Sequence, residues 1–125
     1  MSTLLQTNDL KAFYGDAQAL FGVDLTLQPG EITAVIGANG AGKSTFLKSV
    51  TGMVKVPNAS IQHKGQPIGG LAPAEIVQRG IAMVPEGRRL FPSLSVEENL
   101  LMGAVSRRSG PWNLQRLFKM FPILE

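Results

Sequence analysis

The sequence predicts an α/β fold in which a buried parallel strand feeds a helix through a glycine-rich turn, with an antiparallel hairpin in front. Three observations predict it. Ile32 to Ile36 is a short β-branched apolar run; Gly37, Gly40 and Gly42 follow, and Phe46, Leu47 and Val50 then give a helix its apolar face. Ile81-Ala82-Met83-Val84 is a second continuous apolar run, ended by Pro85, and reads as another buried parallel strand. Leu5, Leu10, Ala12 and Tyr14 stand among polar residues, and Val23, Leu25 and Leu27 alternate with Asp24 and Thr26, so two half-buried strands flank the turn Tyr14-Gly15-Asp16.

The 125 residues suffice for one modest domain with a real core. Apolar content of 44% and charged content of 17% are globular, not disordered. A net charge of +3 is too mild to argue for a nucleic-acid partner. Without cysteine there is no disulfide framework and no thiolate zinc site. No run approaches the roughly 18 apolar residues of a membrane span, and the first nine residues lack the basic and apolar regions of a signal peptide. The expectation is a soluble chain, or one held at a membrane through partners.

Taken in order, residues 3–14 form a strand, with a break expected near Asn8-Asp9, and Ala17 to Gln28 form its partner. Pro29-Gly30-Glu31 turns into the strand 32–36. A helix is expected over 43–52, with Gly52 as its cap. Pro57-Asn58 breaks the chain, Ala59 to His63 is a short strand, and Lys64 to Pro67 turns away from it. Pro73 suits the first turn of a short helix and Gly80 its end. Ser95 and Glu98 make a capping box, so a helix runs from about Val96 to Gly103. Ser106 to Gly110 reads as a basic loop. Pro111 opens a last helix whose Leu114, Leu117, Phe118 and Phe121 share one face, for packing within the domain or for docking a partner. His63, the single histidine, reads as an ordinary surface residue.

Gly37, Gly42, Lys43 and Ser44 sit at the fixed positions of the pattern G-x-x-x-x-G-K-[ST], between a predicted strand and a predicted helix. A phosphate chain needs several N–H donors converging on one point, and a loop wrapped before a helix N-terminus provides them, with the helix dipole adding favourable potential. Glycine lets the backbone approach with no Cβ in the way. Lys43 can reach the β- and γ-phosphates, and the Ser44 hydroxyl can sit on a magnesium ion that also touches them.

In these residues the chain resembles the ATP-binding subunit of ABC transporters, and within that family the branched-chain amino acid importers. The loop wording Gly-Ala-Asn-Gly-Ala-Gly-Lys-Ser-Thr, the aromatic Tyr14 before a strand pair, and the turn Leu27-Gln28-Pro29-Gly30-Glu31 before the loop are family-wide. The stretch Val84 to Leu100, with Val-Pro-Glu-Gly-Arg-Arg at its head, is similar to that subfamily's Q-loop segment, although amide importers such as those for urea share some of it. The resemblance implies a P-loop NTPase (ABC ATPase) core with an N-terminal antiparallel β hairpin over about 1–85 and the start of a helical subdomain over about 86–125. It matches the N-terminal half of such a domain. The signature motif, the strand ending in Asp-Glu and the switch histidine that the family carries further on have no counterpart in these residues.

Carried over residue by residue, the resemblance implies that Tyr14 stacks on adenine. Gly37, Asn39, Gly40, Ala41, Gly42, Lys43, Ser44 and Thr45 hold the phosphates of ATP, most through backbone N–H groups. Ser44 and Glu86 serve Mg2+; Glu86 takes the Q-loop place where most members have glutamine, and it is the candidate catalytic position. Arg88 and Arg89 meet phosphates, the transport partner or solvent. The implied partners are a second ATP-binding subunit and membrane permease subunits, at the cytoplasmic face of the membrane. The alternatives are a nucleotide-binding fragment without turnover and an ABC ATPase outside transport.

Overall fold

The computed structural model describes residues 3–38, 40, 42–84, 87, 89–104 and 110–125. Two compact units divide the chain, Met1–Met83 and Val84–Glu125.

The first unit is built on a four-stranded antiparallel sheet in the order β2-β1-β3-β4, with β1 at Leu5–Tyr14, β2 at Ala17–Leu27, β3 at Ile61–His63 and β4 at Gln66–Pro67. The hairpin forms because its two strands are neighbours in sequence and their apolar alternation falls on one face. Leu5 stands opposite Leu27, Leu10 opposite Val23 and Tyr14 opposite Ala17. The break expected at Asn8-Asp9 is a bulge inside one continuous strand. The register slips between Thr7 and Leu10, Asp9 takes φ 48°, and its N–H donates to the Asp24 carboxylate at 2.6 Å. Across from it Gly22 has φ 104°, and a Cβ there would run into the Asp9 carboxylate. The turn expected over Lys64 to Pro67 is shorter: Lys64 and Gly65, both at positive φ, make it, and Gln66 and Pro67 pair back onto β3 as β4.

Helix α1, Lys43–Val50, lays Phe46 and Val50 on this sheet. Together with Leu10, Ala12, Leu20, Val54, Val56, Ile61 and Ile68 they form the core. The buried polar groups are paired: Thr7 donates to the Val23 carbonyl at 2.9 Å and Ser49 to the Thr45 carbonyl at 2.8 Å. The helix is shorter than the expected 43–52; Thr51 caps it, and Gly52 follows in the left-handed conformation. Helix α2, Pro73–Gln78, has Pro73 in its first turn and buries Ile76.

Two strand expectations are corrected. Residues 32–36 are not a strand, and Ile32 is 98% and Ile36 90% exposed; residues 81–84 are not a strand either. The reason is that a strand exists only as part of a ladder. A run that is apolar on both faces needs strands on each side and cover above and below, and among the described residues no segment pairs with either run. The sheet that does form takes its partners from the local hairpin and from 61–67.

In the second unit, helix α3, Val96–Met102, starts on the capping box foreseen. The Glu98 N–H donates to Ser95 Oγ at 3.1 Å, and the Ser95 N–H donates to Glu98 Oε1 at 2.9 Å. Asn99 pins the preceding turn: its Oδ1 accepts from the Phe91 N–H at 2.9 Å, and its amide nitrogen donates to the Phe91, Leu94 and Ser95 carbonyls. Helix α4, Leu114–Met120, begins three residues later than Pro111 because Asn113 caps it, accepting from the Arg116 N–H at 2.8 Å. Leu114, Leu117 and Phe118 are half-buried, whereas Phe121 lies past the helix and stays half exposed. The loop expected at Ser106 to Gly110 lies, apart from Gly110, outside the described residues.

Candidate functional site

The first turn of a helix carries N–H groups with no intrahelical acceptor. In α1 these belong to the segment Lys43, Ser44 and Thr45, and no side chain caps them. No acidic residue stands in that turn to compete for an anion. Gly42 turns the chain into the helix at φ 94°, ψ 9°. A Cβ on Gly42 would lie 2.9 Å from Leu20 Cδ2 and 3.2 Å from the Ala19 carbonyl, so both the dihedral and the packing call for glycine. Lys43 folds back and donates from Nζ to the Gly37 carbonyl, which holds the ammonium over the loop.

These groups face an open cleft of about 300 Å3 lined by Gln18, Ala19, Phe21, Gly40, Gly42, Lys43, Ser44 and Thr45. One wall is the loop and the head of α1; the other is β2. Beside it, Leu20, Val23, Leu25, Val35, Ile36 and Phe46, with Gly42 and Lys43, line a smaller and mostly apolar hollow of about 140 Å3. Tyr14, at the end of β1, is half exposed, and its hydroxyl lies 3.2 Å from Thr45 Oγ1. The fold thus brings Tyr14, Gly37, Gly40, Gly42, Lys43, Ser44 and Thr45 to one region. Asn39, Ala41, Glu86 and Arg88 lie outside the described residues.

The chemistry of the cleft suits a phosphate chain, with backbone donors, one ammonium and small residues that allow close approach. The residues also fit a magnesium ion. Ser44 is exposed at the cleft, and Mg2+ needs few protein oxygens when substrate phosphates and water complete its shell. Among the described residues no cluster of three or more His, Asp or Glu could hold a metal by itself.

Gln18, Ala19 and Phe21 were not legible as site residues. Their signal was Phe21, an aromatic on the outward side of β2 next to buried Leu20, and 75% exposed. Among the described residues no helix is long and apolar enough to cross a membrane.

The family model described as ABC transporter matches residues 20–124. The high-affinity branched-chain amino acid transport ATP-binding protein BraG of Pseudomonas aeruginosa is 40% identical over 124 residues, 98% of this chain and 53% of that protein. The ribose import ATP-binding protein RbsA 2 of Rubrobacter xylanophilus is 46% identical over 90 residues, 72% of this chain and 17% of that protein. Among solved structures, an ATP-binding subunit of an ABC transporter superposes with a TM-score of 0.76 at 29% identity, covering 96% of this chain and 51% of the other. The ADP conformation of the ATP-binding cassette MJ1267 superposes with a TM-score of 0.70 at 30% identity, covering 95% and 46%. The chain spans about half the length of BraG and of these solved cassettes, and a smaller share of RbsA 2. Its fold is that of the P-loop ATP-binding cassettes, α/β with an antiparallel sheet, and the chain belongs to the ABC transporter ATP-binding family.

Proposed function

We propose that this chain is the nucleotide-binding part of an ABC importer's ATP-binding subunit, and that the importer carries branched-chain amino acids. The observation that carries the nucleotide reading is the cleft wall in which the uncapped head of α1, the Lys43 ammonium and the Ser44 hydroxyl stand together, with Tyr14 hydrogen-bonded to the same turn. In this reading ATP lays its phosphates over Gly40, Gly42, Lys43, Ser44 and Thr45, with Asn39 and Ala41 completing the loop, and its base against Tyr14. Ser44 would help hold Mg2+, which would neutralise phosphate charge there. The protein's own contribution is positioning and fixed dipoles aimed at the γ-phosphoryl group.

The 40% identity to BraG over nearly the whole chain supports the amino-acid substrate, as does the wording of residues 84–100. Relatives named for ribose and fructose import mark the competing substrate class. A second ATP-binding subunit and permease subunits are the partners, at the cytoplasmic face of the membrane. Residues from about 86 onward begin the helical subdomain that meets the permease.

The test has two arms. Cells lacking this protein should lose uptake of radiolabelled leucine and keep uptake of ribose; the reverse pattern assigns it to sugars. Phosphate release should be steady in the full-length protein and absent from its Lys43→Ala variant. Binding without turnover is the second reading; the runs 32–36 and 81–84 pair with no strand among the described residues. Steady, Lys43-dependent turnover by residues 1–125 alone would overturn it and would make Glu86 the first candidate for the base.

A further inference from the structure

Tyr14 and Thr45 lie 31 residues apart, yet their hydroxyl oxygens are 3.2 Å from each other. Thr45 is 8% exposed and Tyr14 50% exposed. One hydroxyl therefore sits in the packed first turn of α1, and the other is on a half-exposed ring. Thr45 also lines the phosphate-facing cleft. A phenol is the better donor of the two. When it donates, Thr45 Oγ1 is the acceptor and the threonine's own proton stays available to the cleft.

We propose that Thr45 is a positioning residue that ties the base platform to the phosphate loop: its hydroxyl fixes the Tyr14 ring through the bond between the two side chains. This deepens the nucleotide reading above and rests on it. An exposed aromatic ring loses freedom when it stacks on a base, and a ring already held by a buried partner loses less. The same bond links the two ends of the nucleotide, because a shift of the first turn of α1 moves the ring.

The test is equilibrium binding of ATP and of inorganic tripolyphosphate to the full-length protein and to Tyr14→Phe, Thr45→Val, Thr45→Ser, the Tyr14→Phe/Thr45→Val pair and Lys43→Ala. Tyr14→Phe keeps the stacking surface and should weaken ATP about three- to tenfold, the scale of one hydrogen bond, without moving tripolyphosphate. Thr45→Ser should restore ATP binding lost in Thr45→Val. The double variant should bind ATP no more weakly than Thr45→Val, since the tether is already lost in Thr45→Val. Multiplying losses in the double variant, or wild-type ATP affinity in Tyr14→Phe, overturns the tether while leaving the nucleotide site standing. Failure of Lys43→Ala to weaken either ligand overturns the nucleotide reading itself, and the tether with it.

Discussion

Ile61 and Ile36 both sit in apolar stretches, yet Ile61 is fully buried and Ile36 is 90% exposed. The difference lies in where each finds its partners. Ile61 pairs with Thr7 on β1, a strand already held by its hairpin neighbour β2, and its side chain joins the core with Leu10 and Phe46. Ile36 belongs to a run that no described segment pairs with. Alternating strands bring half of their requirement with them, one face apolar and one wet; a doubly apolar strand depends on neighbours on both sides.

The comparison breaks most readily in a denaturant melt. Ile61→Ala should cost about 2–5 kcal/mol, the range for emptying a buried aliphatic site. Ile36→Ala should fall within about 0.5 kcal/mol of wild type, as surface changes do. A large loss at Ile36 in residues 1–125 would show that 32–36 is covered in solution, by another copy or by pairing absent from this fold.

The site stands where the two kinds of region meet, since the loop leaves the unpaired run and enters α1 on the sheet. Lys43→Ala should weaken ATP binding by about 1.5–3 kcal/mol, the worth of a charge-assisted contact. Calorimetry reads it directly, and unchanged affinity would remove the loop from the site. Gly42→Ala tests the loop's shape instead. The positive φ and the close approach to Leu20 predict a loss of roughly 1–3 kcal/mol in stability, seen as a lower denaturant midpoint. A neutral outcome would mean that Leu20 moves aside.

Local signals in the sequence were legible wherever the chain answers them itself. The hairpin, the start of α1 at Lys43, Pro73 opening α2 and the Ser95–Glu98 cap were all readable, because each depends on residues within a few positions. The runs 32–36 and 81–84 were misread because apolarity reports a need for burial and not whether partners exist to meet it. Asp9 was half legible: a break was visible, but whether it ended the strand or bulged it depended on Gly22 and Asp24 across the ladder. Of the site, the fixed pattern positions gave Lys43 and Ser44 directly. Phe21 escaped because an aromatic in a strand reads first as packing, and only the fold turned it toward the cleft.

The smallest effect concerns α3, which resembles the hairpin side of the comparison in being held by its own neighbours. The Ser95 backbone N–H, and then its side chain, hold the Glu98 carboxyl below its ordinary value. A carboxylate whose folded-state pKa is depressed contributes stability above its unfolded pKa, and that contribution is lost as pH falls through the folded value. The capping contribution of Glu98 should therefore be full at neutral pH and be lost on acidification as the pH falls through its lowered folded-state pKa. Removing Ser95 as the cap residue, by Ser95→Ala, should cost about 1 kcal/mol at pH 7. Glu98→Gln keeps an acceptor for the Ser95 N–H but removes the titration. Its melts should therefore lose the part of the acid dependence that Glu98 supplies while retaining most of the neutral-pH stability. An acid profile of Glu98→Gln that superposes on wild type would mean that the Ser95–Glu98 pair does not hold the start of α3 in solution.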